Sequence, residues 1–70
     1  MWKEFFLFGY RIVAKVFDNP SMYGIKEGRI SKLFIYKGET QLAVYDRGWD
    51  FKYVSESIIN KIVAAIESII

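Results

Sequence analysis

GRISKLFIYKGETQLAVYDRGWD, residues Gly28 to Asp50, reads as a β-hairpin around which the rest of the chain is arranged. In the first arm Ile30, Lys32, Phe34 and Tyr36 alternate with Ser31, Leu33 and Ile35, so a strand here has one basic and aromatic face and one plain apolar face. Lys37-Gly38-Glu39-Thr40 supplies the connection, because Gly38 adopts the positive φ of a tight hairpin turn without steric cost. The second arm runs from Gln41 to Arg47. Strict alternation there continues the apolar face with Leu42 and Val44 and sends Gln41, Ala43, Tyr45 and Arg47 to the other.

Outward from the hairpin, Trp2 to Phe8 is an apolar run and Tyr10 to Phe17 alternates, which predicts a second hairpin turning near Leu7 to Gly9. Ile12, Ala14 and Val16 share one face of its second strand, and Arg11, Val13, Lys15 and Phe17 the other. Asp18-Asn19-Pro20-Ser21 is turn chemistry, since proline cannot pair in a central strand and Asp and Asn bond their own backbone. The segment from Met22 to Gly28 has no periodicity. Its glycines, Gly24 and Gly28, fit either ordinary turn geometry or a close backbone approach to a phosphate.

On the other side, Arg47-Gly48-Trp49-Asp50 predicts a tight bend, and Phe51 to Val54 a short edge strand or an extended lead into a helix. Ser55 is the expected N-cap, Glu56 complements the positive end of the helix dipole, and Val54 with Ile59 occupies the staple positions. Ile58, Ile59, Ile62, Val63, Ile66, Ile69 and Ile70 recur at three- and four-residue spacing, a single amphipathic stripe. A β-branched stripe has modest helix propensity, so packing on a sheet must hold it. The chain closes on Ile69-Ile70 without a polar cap, which favours a covering partner chain.

These elements assemble into one α+β domain over residues 1–70: an antiparallel sheet of about four strands, with room for a short fifth, packed on one C-terminal helix. The expected helix-facing set is Ile12, Ala14, Val16, Leu33, Ile35, Leu42 and Val44. The opposite face then collects Arg11, Lys15, Lys32 and Arg47 with Val13, Phe17, Ile30, Phe34, Tyr36 and Tyr45, and no acid.

A chain of 70 residues buries only about 60% of its unfolded surface, so its core is marginal. The absence of Cys and His removes disulfides and the usual zinc ligands, and no other cofactor is implied. With 53% hydrophobic and 19% aromatic residues the chain carries more apolar surface than one thin domain hides, so a homo-oligomer, a dimer or a dimer of dimers, is expected. No apolar run reaches the about 18 residues of a membrane span, and MWKEFF lacks the pattern of a secretory leader, so a cytoplasmic location is expected. A net charge of +2 is too small to specify a polyanion partner by itself; only its distribution is informative.

AKVFD at Ala14 to Asp18, YGIKEGRISKL at Tyr23 to Leu33 and YDRGWD at Tyr45 to Asp50 together resemble a family of small proteins from phages and prophages of Gram-positive bacteria. That resemblance implies a phage accessory protein and brings no defined activity. The order of strands followed by one helix is also similar to the single-stranded-DNA-binding fold of the transcriptional coactivator positive cofactor four, which dimerises. Some clostridial phage anti-CRISPR proteins share that fold, which brings a counter-defence role into view.

Two functions fit the basic and aromatic face. Arg11, Lys15, Lys32 and Arg47 suit phosphates, and Phe34, Tyr36 and Tyr45 suit stacking on unpaired bases, as in a sequence-tolerant nucleic-acid platform. The same residues also suit a protein interface with an aromatic centre and a charged rim, made with a second copy or with a host defence protein. A third reading gathers Asp18, Asp46 and Asp50 into a divalent-metal site for DNA nicking, although these aspartates equally serve turns and pair with arginine. Ser21, Ser31, Ser55, Ser57 and Ser68 have no histidine to act as base, so no serine nucleophile is indicated. Trp49 either caps the end of the core or serves as an interface hot spot.

Overall fold

The computed structural model describes residues 1–70. Its sheet is a five-stranded antiparallel meander in sequential order, formed by β1 (Trp2–Leu7), β2 (Tyr10–Val16), β3 (Ile30–Lys37), β4 (Thr40–Asp46) and β5 (Trp49–Lys52). The single helix, α1 (Glu56–Ile69), covers one face, so the chain has the expected α+β architecture and the fifth strand is present. No helix is long and apolar enough to cross a membrane.

The hairpins form where turn chemistry places them. Phe8 and Gly9 join β1 to β2 with φ of +56° and +82°, the sign that a two-residue turn matching strand twist requires. Gly38 takes φ +61° between β3 and β4. Between β4 and β5 the positive φ, +61°, falls on Arg47 rather than on its neighbour Gly48.

Three register shifts change which side chains face the helix. Ser31 is the extra residue between the pairs Lys15 with Lys32 and Val16 with Ile30; Leu42 is the extra residue between Ile35 with Ala43 and Tyr36 with Gln41; Asp50 is the extra residue between Val44 with Phe51 and Tyr45 with Trp49. One inserted residue inverts the facing of everything beyond it. Ile30, assigned by alternation to the outer face, is therefore fully buried in the core, and Ala43 and Tyr45 replace Leu42 and Val44 beneath the helix. Val44 lies on the outer face opposite Phe34 and Phe51 and is buried there between them. The Ser31 hydroxyl, at its bulge, donates to the Lys15 carbonyl at 3.3 Å.

The core joins Ile12, Ala14, Val16, Ile30, Leu33, Ile35, Ala43 and Tyr45 from the sheet to Ile59, Ile62, Val63 and Ile66 from α1. Ser55 caps the helix, its hydroxyl accepting from the Ile58 N–H at 3.3 Å, and Val54 packs against the core to which Ile59 belongs. Trp49 lies at the core margin with its ring edge-on to Tyr45 at 5.1 Å, the capping position rather than an exposed hot spot.

The segment between β2 and β3 also contributes to the core. Ile25 is buried within a single 3₁₀ turn, Ile25–Glu27, whose Lys26 and Glu27 take positive φ. Gly24 is required by close approach of the chain to itself, since a Cβ there would collide with the Gly28 carbonyl oxygen, and Gly28 leaves the space that the Glu67 carboxylate occupies. That crowding excludes a phosphate from the same space and assigns the glycines to packing. The Arg29 N–H donates to Glu67 Oε2 at 3.0 Å, and its guanidinium donates to the carbonyls of Ile70 at 2.8 Å and Phe17 at 2.9 Å. The helix end expected to lack a polar cap is thus capped from the β2–β3 segment. Ile70 packs on the core, whereas Ile69 stays 60% exposed.

Candidate nucleic-acid interface

The sheet face away from α1 is uncovered, and its side chains form three rows across the strands. Trp2, Lys15, Lys32 and Asp46 make the first row; Glu4, Val13, Phe34, Val44 and Phe51 the second; Phe6, Arg11, Tyr36 and Gln41 the third. Cross-strand neighbours interact directly in such rows. The Trp2 ring stacks on Phe34 with centroids 5.9 Å apart and planes at 17°. The Gln41 amide donates to the Tyr36 hydroxyl at 3.2 Å, and the Arg11 guanidinium lies 4.4 Å from the Tyr36 ring centre.

This face is not free of acids. Strict alternation sent Asp46 inward, but the Leu42 bulge turns it outward against Lys32 at 3.6 Å. Glu4, contributed by β1 opposite Val13, pairs with Arg11 at 3.1 Å. The remaining ion pair of the chain joins Lys52 to Glu56. Lys15 and Arg47 therefore have no carboxylate within 4.0 Å, and the uncompensated charge of the face gathers at their end of the sheet.

That end carries a cleft of about 310 Å³ lined by Lys15, Phe17, Tyr23, Ser31, Lys32 and Arg47. Lys15 and Lys32 are direct cross-strand partners, Arg47 enters from the β4–β5 turn, and Tyr23, 60% exposed, comes from the β2–β3 segment. The Tyr23 wall is fixed in two ways: its N–H donates to the Ser21 hydroxyl at 3.1 Å, and its carbonyl accepts from the Tyr45 hydroxyl at 3.0 Å. Tyr45, expected among the stacking residues, is instead only 8% exposed on the helix side and acts as the anchor of that wall. A shallower concavity at the opposite end is lined by Phe6, Gly9, Tyr10, Arg11 and Gly38, and its one cation, Arg11, is the one neutralised by Glu4.

Of the residues predicted for nucleic-acid contact, the structure brings Lys15, Lys32 and Arg47 to one cleft and keeps Arg11, Phe34 and Tyr36 on the same sheet face, with Tyr45 removed to the core. Asp18, Asp46 and Asp50 do not assemble: no group of three or more acidic side chains is placed to hold a metal ion. Sequence reading missed Trp2 and Tyr23, because an aromatic in a terminal strand and one in an aperiodic loop carry no signal of the face they join.

The architecture defines a small α+β domain, an open antiparallel meander backed by one helix, with one uncovered face basic and aromatic at one end. The chain belongs to the DUF7678 family, described as a domain of unknown function, whose pattern matches residues 1–68. No curated protein and no solved structure matches it.

Proposed function

We propose that this protein binds nucleic acid with little regard to sequence, through the uncovered face of its sheet. The observation that carries the reading is the cleft in which Lys15, Lys32 and Arg47 meet the accessible rings of Phe17 and Tyr23. Cations there neutralise phosphates and release counterions, and each base stacked on an aromatic ring contributes about 1–3 kcal/mol without any readout of its edges. Trp2 and Phe34, already stacked on each other, and Tyr36 with Arg11 extend the platform across the sheet. The resemblance to phage-encoded proteins, and to folds of the positive-cofactor-four type, supports a DNA-handling or counter-defence role, including an anti-CRISPR one, in the cytoplasm of a bacterial host.

Fluorescence anisotropy with labelled single- and double-stranded oligonucleotides tests this. Affinity should fall steeply with salt, and replacing Lys15 and Lys32 together by Gln should flatten the single-strand slope by about 1.4, from about 0.7 per phosphate contact. No binding at low salt would overturn it.

A second reading, that the face docks another protein, is favoured by its middle row. Beyond Glu4 at its β1 end, Val13, Phe34, Val44 and Phe51 form an uncharged bar with Arg11, Lys15 and Lys32 on either side, the arrangement of an interface centre and rim. The occupant is then a second copy or a host defence protein. Sedimentation equilibrium at micromolar concentration should return a dimer or tetramer mass if the bar is self-complementary; a single species of 8.2 kDa would refute the homo-oligomer. The nicking reading draws no support from the aspartates, which stand apart as turn, ion-pair and bulge residues.

A further inference from the structure

We propose that the cleft at the Lys15 end of the sheet is a receptor for a terminal phosphomonoester, so that the protein recognises phosphorylated ends of nucleic-acid strands rather than their interiors alone. This rests on the nucleic-acid reading above and goes beyond it by naming the group bound.

Charge is the first argument. Lys15, Lys32 and Arg47 line the cleft, and the one carboxylate paired with any of them is Asp46, on Lys32. Three cations less one anion leave about two positive charges. A phosphodiester within a strand carries one negative charge, whereas a terminal phosphomonoester carries about −1.5 to −2 near pH 7 and offers three acceptor oxygens. The cleft matches the second, and Arg47 adds the planar fork that suits two phosphate oxygens at once.

Size and position are the second. At about 310 Å³ the cleft sits at the lower limit of small-ligand sites, which start at about 300 Å³, so it has room for one nucleotide. It also lies at one end of the platform. Lys15 is next to the last residue of β2, Lys32 lies close to the start of β3, and Arg47 follows β4, with Tyr23 from the intervening segment forming the far wall. A strand laid on the sheet face along β3, from Tyr36 past Phe34 to Lys32, reaches the cleft, where its terminal base meets Phe17 and Tyr23.

The same chemistry exists on a free nucleotide, so the test has separate arms. Decathymidylate bearing a 5′-phosphate, a 3′-phosphate or hydroxyls at both ends is titrated by anisotropy, with the label placed internally, and thymidine 5′-monophosphate is added as competitor. One phosphorylated end should bind about tenfold more tightly than the unphosphorylated strand, equivalent to about 1.4 kcal/mol. Arg47→Asn, which tolerates the left-handed conformation and so preserves the fold, should bring that ratio towards one, as should Lys15→Gln. Competition by the mononucleotide at the concentration of the phosphorylated strand supports the receptor and identifies a free nucleotide as a sufficient ligand. Equal binding of all three strands overturns the receptor and leaves sequence-tolerant binding standing. Absence of binding by every strand and by the mononucleotide overturns both.

Discussion

Phe8 is the clearest residue-level conflict between side chain and backbone. A bulky aromatic at φ +56° occupies the left-handed region that Asn, Asp and Gly populate, and its ring is 57% exposed, so burial does not offset the cost. Phe8→Asn would give the turn the Asn-Gly sequence that such two-residue hairpins favour. The expected gain is about 1 kcal/mol, and for a domain of this size each kcal/mol raises Tm by about 4–8 °C. An unchanged or lower Tm would mean that the Phe8 ring makes a contact worth as much as the strain. Tyr45 presents the reverse case. Its ring belongs to the core and its hydroxyl to the cleft, so Tyr45→Phe should leave packing intact and free the Tyr23 wall, weakening ligand binding more than stability.

At the level of elements, α1 is held at its two ends by different means. The N-terminus is capped locally by Ser55, three residues from the N–H it satisfies. The C-terminus is capped from a distance by Arg29, whose fork donates to the Ile70 carbonyl 41 positions on and to that of Phe17, the residue after β2. A cation beside the last carbonyls also complements the helix dipole. Arg29→Ala removes two charge-assisted hydrogen bonds and should cost about 1.5–3 kcal/mol in urea unfolding. Lys at this position should restore little, because a single ammonium cannot hold two carbonyls in the fork geometry. Hydrogen exchange should show the loss concentrated in the last turn of α1 and in the segment from Ser21 to Gly28, which Arg29 and Glu67 tie to it. Uniform loss over the whole sheet would instead mark Arg29 as part of the global core.

For the whole molecule, stability rests on one apolar layer between sheet and helix. A chain of 70 residues has a total stability of about 3.5–10 kcal/mol at about 0.05–0.15 kcal/mol per residue. Ile62 and Ile66 are completely buried, so either one changed to Ala should cost about 2–5 kcal/mol, a large share of that total. Ile69 belongs to the same helical stripe but remains 60% exposed, and Ile69→Ala should change stability by less than about 0.5 kcal/mol. If thermal melts show Ile69→Ala to be as damaging as Ile66→Ala, a partner chain covers that end of the helix in solution. The contrast therefore tests the oligomer without reference to its mass.

The sequence by itself determined the elements: the glycine turns at Gly9 and Gly38, the Ser55 cap, the helical stripe, the break at Pro20, and the placing of Lys15 and Lys32 on one face. These are legible because turn chemistry, capping and periodicity act over a few residues, and each leaves its mark where it acts. The tertiary structure decided which way much of the sheet faces. Ser31, Leu42 and Asp50 are each one residue more than regular pairing accommodates, and nothing in their chemistry announces it; the bulges arise from fitting one strand against another. Through them Ile30 and Tyr45 enter the core and Asp46 comes to neutralise Lys32, while β1 brings Glu4 to Arg11 by a pairing that strand periodicity does not specify. Of four cations read as one basic face, two are left uncompensated, and because charge compensation depends on distance across strands rather than along the chain, only the folded sheet selects Lys15 and Arg47.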